Sequence, residues 1–277
     1  MSKPPCAGLN LGFTESDQRE RVEQNRRLFF HQLGGKHFTP ATVRQIHSAH
    51  SFVIARDVAG ELTYHMPGIE VPVPLSANPP AGDGVMTAEP GILLTIRIAD
   101  CLPVLLVDPQ KRLVAAVHAG WRGSLDRVIE KAVGDMRRVF GSDPQNLIAA
   151  LGPSIRSCCY EVGEEVVEAF HGKFAGAERF FQNIPERPIS LTDRHTILFL
   201  SAHPPGHAPE HVPAARLDLI AVAQNQLASA GVKPANVLVT DYCTACRTDL
   251  FFSHRHEGGV TGRQVAAVGI RKAVASA

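Results

Sequence analysis

Two side chains stand where an apolar chain rarely leaves them without purpose. Cys101 lies in IADCLPVLLVD, between two apolar runs and directly after Asp100, and His118 lies in VAAVHAGWRG, where an apolar run meets Gly120-Trp121-Arg122-Gly123. Each alone has an ordinary explanation, since a free cysteine behaves as a small buried hydrophobe and a lone histidine more often packs than ligates. Together, a thiol and an imidazole at the ends of apolar runs suit a thiophilic metal ion, or a nucleophile with its base. The flanking glycines permit close backbone approach, and the helix start behind them favours an anion. Asp83 in GDGVMT and Asp100 are the associated carboxylates. Each is able to shuttle a proton or orient a histidine, and each reads equally well as a turn or capping residue.

A second constellation is Cys243, Cys246, His254 and His256. Its C-x2-C followed by two histidines imitates a zinc module, but the interval from Cys246 to His254 falls well short of the roughly 12 to 15 residues of finger spacing. These residues are therefore expected to pack and to line a pocket. Cys158-Cys159 reads as structural, because adjacent residues rarely ligate one ion together.

The elements that must position these groups follow from periodicity and breakers. Residues 14–33 read as a helix stopped by Gly34-Gly35, and 42–46 as a short strand delivering its end to a loop. Apolar runs at 92–98, 102–107 and 113–117 read as strands that converge near Cys101 and His118. Helical spacing covers 124–140, with Ser124 as N-cap, then about 162–170 and 217–230, while 147–151 and 237–240 read as strands. Two stretches break the pattern: 61–84, with five prolines, as a surface loop or lid, and 203–213, with four prolines and three histidines, as a surface excursion. The fold class expected is α/β, one domain over 1–277.

Composition narrows the function. With 44% apolar and 20% charged residues the chain is globular. A net charge of +1 gives no basic face for nucleic acid or an acidic membrane, which leaves a small substrate as the natural partner. The N-terminal MSKPPCAGLN holds no signal-peptide core, and the most apolar stretch, 92–107, is interrupted by Arg97 and Asp100, so a cytoplasmic protein is expected. Six cysteines in that setting fit reduced thiols better than disulfides.

The motifs RQIHS, ADCLPVLLVDP, VAAVHAGWRG, LGPSIRSCCYEVG, DYCTACRTDLFFSHR and TGRQ, in that order, resemble the laccase-domain family across nearly the whole chain. The family was once described as multicopper polyphenol oxidases and is now regarded as purine nucleoside phosphorylases with accompanying adenosine deaminase activity. The resemblance implies a mixed-sheet sandwich with flanking helices, similar to the toxin-deamidase cysteine hydrolases. It also implies a zinc ion on His47, Cys101 and His118, with RQIHS standing in for the family's QVH. Three protein ligands leave a fourth tetrahedral position open, as catalytic zinc requires.

Purine nucleoside and inorganic phosphate are the implied substrates, acted on by a monomer or homodimer. Arg26, in an Asn-Arg pair like the family's, is the implied phosphate ligand; Arg44 is a second candidate, and Arg255 with the TGRQ segment completes the pocket. Three alternatives stand beside this reading: a copper-dependent polyphenol oxidase, poorly supported by a single H-x-H pair; a metal-free hydrolase with Cys101 as nucleophile and His118 as base; and a non-catalytic binding protein.

Overall fold

The computed structural model describes residues 1–34, 37–68, 72–183 and 215–272. Its centre is the pair of apolar runs that the sequence makes most obvious. β7 (Leu102–Asp108) and β8 (Leu113–Ala119) form an antiparallel hairpin in which Pro103 faces His118. Every residue of β8 is buried, as expected of a strand covered on both faces. Leu113, Ala115, Val117 and Ala119 point to one hydrophobic cluster and Val114 and Ala116 to another, which is the period-2 alternation of a pleated strand.

Around this hairpin an eight-stranded mixed sheet is built from β2 (Ser51–Arg56), β3 (Leu62–His65), β4 (Val73–Pro74), β5 (Gly84–Thr87), β9 (Ile148–Leu151) and β13 (Val237–Val239). Its order is β13-β9-β7-β8-β5-β2-β3-β4. On one face lie α3 (Val128–Phe140) and α5 (Leu219–Ser229), whose Ile129, Val133, Met136, Val222 and Leu227 join the larger core cluster. Over the other face lies a three-stranded sheet, β1-β6-β14, made of β1 (Thr39–Ala41), β6 (Ile92–Ile98) and β14 (Gln264–Gly269). Ile92, Leu94 and Ile96 of β6 pack there against Ala116 and Val114. α1 (Arg19–Gln32), α2 (Trp121–Leu125), α4 (Glu164–Lys173) and a small sheet of β10 (Glu161–Val162), β12 (Ala215–Leu217) and β11 (Phe181–Asn183) complete the described elements. The mixed α/β sandwich with flanking helices is thus the observed architecture. No helix among the described residues is long and apolar enough to cross a membrane.

Four local expectations are corrected. Residues 42–46 are not a strand: the ladder to β6 ends at Ala41, opposite Leu94, and only Arg44 bridges further, to Ala81. The span 61–84 is not wholly a loop, because Leu62–His65, which contains no proline, pairs with β2, and Pro74 is tolerated on the edge strand β4. The helix expected over 124–140 is two helices, separated at Arg127, which takes φ 60°. Gln226 of α5 enters that break, donating to Ser124 O at 2.8 Å and accepting from Ile129 N at 3.2 Å. Ser124 sits inside α2 rather than capping a helix. The expected excursion at 203–213 lies outside the described residues.

Candidate active site

The crossover from the three-stranded sheet to the large one occupies only residues 99–101, between the end of β6 and the start of β7. Asp100 makes that turn with φ 94°, a conformation that a side-chain-bearing residue rarely adopts. The turn is held from outside. The buried Asp100 carboxylate accepts from Thr244 Oγ1 at 2.6 Å and from Arg255 N at 2.6 Å, while its carbonyl accepts from Ile155 N at 2.8 Å. Asp100 is therefore neither solvated nor a helix cap. It clasps two C-terminal segments against the turn that presents Cys101.

The segment before His47 reaches the site by a different device. Where the backbone ladder has ended, Gln45 continues it with its side chain, donating from Nε2 to Arg97 O at 2.7 Å and accepting at Oε1 from Arg97 N at 2.9 Å. His47 then adopts φ 60°, and the amides of residues 46–48 converge on the Asp83 carboxylate. Oδ2 accepts from Ile46 N at 3.2 Å, Ser48 N at 2.6 Å and Ser48 Oγ at 2.9 Å, and Oδ1 accepts from His47 N at 3.0 Å. The same Oδ1 pairs with His118 Nδ1 at 2.8 Å, in a contact shielded from solvent. Burial alone would push the Asp83 carboxyl up, but His118 and the Ser48 donors hold it down at about 2. One buried carboxylate thus fixes both a histidine ring and the turn carrying the other histidine.

His47, Cys101 and His118 meet here, the first two on loops and the third near the end of β8, their donor atoms all within 4.8 Å of one another. Cys101 Sγ lies 3.8 Å from His47 Nε2, and the two imidazole centroids are 5.0 Å apart. Burial pushes the Cys101 thiol up, yet the charge and hydrogen bond of His118 and those of His47 outweigh it and bring it to about 6. His118 moves the opposite way, its burial overcome by Cys101 and Asp83. Because Asp83 occupies Nδ1 of His118, Nε2 is the nitrogen left to ligate. Gly120 supplies the room: a Cβ there would fall 2.9 Å from Cys101 Sγ and 2.9 Å from His47 Cδ2. Two imidazoles and a thiolate with an open side are a donor set that fits zinc.

A cavity of about 300 Å³ opens over these donors, lined also by Phe13, Gln45, Arg97, His254 and Arg263. Among the described residues, no carboxylate lines it. Among the described residues the Arg97 guanidinium forms no hydrogen bond or ion pair, and the Arg263 guanidinium donates only to the carbonyls of Thr261 and Gly262, at 3.1 and 2.8 Å. Burial lowers the Arg97 pKa and the Arg263 charge lowers it further; Arg26 is lowered by burial and by Arg97. Three guanidiniums thus share one field, which is the electrostatics of an anion site.

Among the arginines expected from sequence, Arg26 stands behind this wall, donating to Leu11 O at 3.2 Å with its guanidinium near the Phe13 and Phe30 rings. Arg44 is exposed and outside the lining. Arg255 donates to Glu161 O at 2.6 Å and lies over the Tyr160 ring. Arg97 escaped notice as a ligand, although a charge inside the largely apolar β6 was a usable signal. The rival set of Cys243, Cys246, His254 and His256 does not assemble: His254 lines the cavity, and the two cysteines group with Cys158 and Cys159.

The family model of the multi-copper polyphenol oxidoreductase laccases matches residues 1–271. The chain is 30% identical over 275 residues to the purine nucleoside phosphorylase YlmD of Geobacillus stearothermophilus, covering 98% of this chain and 86% of that one. It is 31% identical over 263 residues to the adenosine deaminase RL5 of an unknown prokaryotic organism, covering 95% and 87%. The crystal structure of the hypothetical protein YfiH of Bacillus licheniformis superimposes with a TM-score of 0.77 at 27% identity, over 98% of this chain and 88% of that chain. The sequence match along almost its entire length and the shared fold make this chain a member of the multi-copper polyphenol oxidoreductase laccase family.

Proposed function

We propose that this chain is a zinc-dependent purine nucleoside phosphorylase with an accompanying adenosine deaminase activity, carried by one domain. The observation that carries the reading is the juxtaposition of an open His-Cys-His donor set with Arg97 and Arg263 in one carboxylate-free cavity. The names of relatives that span the same length, a purine nucleoside phosphorylase and an adenosine deaminase, support it.

In this reading His47, Cys101 and His118 hold the ion, which when bound supplies Lewis-acid chemistry to a reacting oxygen. Arg97 and Arg263 bind inorganic phosphate, and Arg26 strengthens their field from behind. A phosphate oxygen attacks the ribose anomeric carbon as the bond to the purine nitrogen breaks, and the purine leaves with that electron pair. His254, a lining imidazole outside the donor set, is placed to give the departing base its proton. Asp83 and Asp100 are positioning residues: the first sets the His118 ring and the His47 turn, the second sets the Cys101 turn. In deamination, water replaces phosphate as nucleophile at the amino-bearing carbon of adenine, and ammonia leaves.

Adenosine incubated with the zinc-loaded protein should yield adenine and ribose 1-phosphate only when phosphate is present, and inosine with or without it. Absence of all these products from adenosine, inosine and methylthioadenosine would overturn the assignment. The metal-free alternative draws on the depressed thiol of Cys101 beside His118, an arrangement that also suits a nucleophile and its base. Full activity after chelation would favour it. Stoichiometric copper with phenol oxidation would favour the oxidase reading.

A further inference from the structure

Away from the cavity, a second group of donors has no part in the chemistry above. Cys158, Cys159, Cys243 and Cys246 bring four thiol sulfurs within 4.8 Å of one another. Cys246 Sγ lies 3.7 Å from Cys158 Sγ and 3.3 Å from Cys159 Sγ. With metal–sulfur bonds of about 2.3 Å, the sulfurs of a tetrahedral tetrathiolate centre are about 3.8 Å apart. All four sulfurs are close enough for one ion to gather them into such a shell.

The backbone is what brings these sulfurs together. Two turns lie side by side: Cys159 N and Tyr160 N donate to Arg156 O at 2.8 and 2.9 Å, and Arg247 N donates to Cys243 O at 3.0 Å. Thr244 N donates to Ser154 O at 3.1 Å and joins them. The first turn is what lets two adjacent cysteines face one partner, contrary to the sequence expectation. Cys243 Sγ accepts from Arg156 N at 3.4 Å. An N–H donor aimed at the sulfur favours a thiolate over a thiol. Two of the four cysteines are exposed, so an ion has a path in from solvent.

We propose that these four cysteines form a second metal centre, a closed tetrathiolate site for zinc whose role is structural. Zinc bound there cross-links turns 88 residues apart in the chain, and it does so next to the active site. Thr244, between Cys243 and Cys246, is the residue whose hydroxyl holds Asp100. The ion would fix the clasp on the Cys101 turn without touching substrate. All four ligand positions are taken by sulfur, which leaves none for water and separates this site from the open His-Cys-His set.

The test uses the full chain. Cys101→Ser removes the thiolate of the first site and should leave one equivalent of zinc. Cobalt exchanged into that variant should show the visible bands of a tetrahedral ion and a strong sulfur-to-metal band in the near ultraviolet. Adding Cys158→Ser should weaken the sulfur band as four sulfur ligands become three, and adding Cys246→Ser as well should abolish the zinc. A measurement on the unaltered protein guards against misfolded variants: alkylation followed by peptide mass spectrometry should find all four cysteines protected until a chelator is added. Three outcomes would overturn the proposal: no zinc or cobalt–sulfur signal in folded Cys101→Ser, free alkylation of all four thiols in the metal-loaded protein, or a Cys159–Cys246 disulfide in protein purified without reductant.

Discussion

Replacing Asp83 with asparagine alters almost no volume, yet it forces a choice on five donors. The carboxylate accepts from His118 Nδ1 and His47 N on one oxygen, and from Ile46 N, Ser48 N and Ser48 Oγ on the other. An amide oxygen can serve only one side. Turned toward His118, the amide leaves its NH2 facing the two backbone donors of Ile46 and Ser48. Turned the other way, it faces only the one at His47, so that orientation prevails. His118 must then accept at Nδ1, and its ring proton moves to Nε2, the nitrogen required as ligand. Loss of an orienting partner of a metal-bound histidine typically weakens the metal by about 10- to 100-fold, and a true tautomer reversal places this variant near the upper figure, about 2.7 kcal/mol. One unsatisfied buried donor adds about 1–3 kcal/mol to the loss of folding stability. Competition with a chromophoric chelator measures the first quantity, denaturant unfolding the second, and nitrogen NMR of the His118 ring reads the tautomer directly. A variant that binds zinc within about twofold of the parent, with Nδ1 still protonated, would refute the reasoning.

Gly120→Ala should reduce zinc affinity by about tenfold or more while leaving the far-ultraviolet circular dichroism unchanged, because its Cβ falls 2.9 Å from both the Cys101 sulfur and the His47 ring. Arg97→Ala should raise the KM for phosphate by about 10- to 100-fold, the worth of a charged hydrogen bond, with deamination of adenosine little changed; Arg97→Lys should recover part of the loss. Asp100→Ala should destabilise the fold by about 2–4 kcal/mol in denaturant, since it removes the acceptor of Thr244 and Arg255 and still places a Cβ at φ 94°. Iodoacetamide should modify Cys101 in the chelated protein and far more slowly once zinc is restored, as followed by peptide mass spectrometry.

The central strands were legible because burial leaves few polar positions to blur the pattern, so β6, β7 and β8 match the apolar runs almost residue for residue. Elements whose limits are set by tertiary partners were not. Helical spacing runs unbroken through Arg127, and only Gln226, nearly a hundred residues away, marks the interruption there. The strand expected before His47 fails because a side chain, Gln45, takes over from the backbone. Within the site, Cys101 and His118 drew attention through their own surroundings, whereas His47 came from resemblance to a family. Its neighbours say little, since its position depends on a left-handed φ and a carboxylate 36 residues on. The Cys158–Cys159 grouping was missed because adjacency argues against shared ligation until a turn is seen to fold the pair onto one partner.

The order in which these parts occur along the chain has a consequence for the protein as it is made. His47, Cys101 and His118 all precede β9, so a ribosome-bound nascent chain carries every donor of the first metal set while less than half of the sequence exists. Thr244 and Arg255, which clasp Asp100, emerge much later, and Arg263 arrives with β14, the most C-terminal described strand. In the proposed function, the metal donors are therefore synthesised before the second phosphate-binding arginine. The donor set is complete once residue 118 is made, but Arg263 joins Arg97 beside it only when β14 docks on β6.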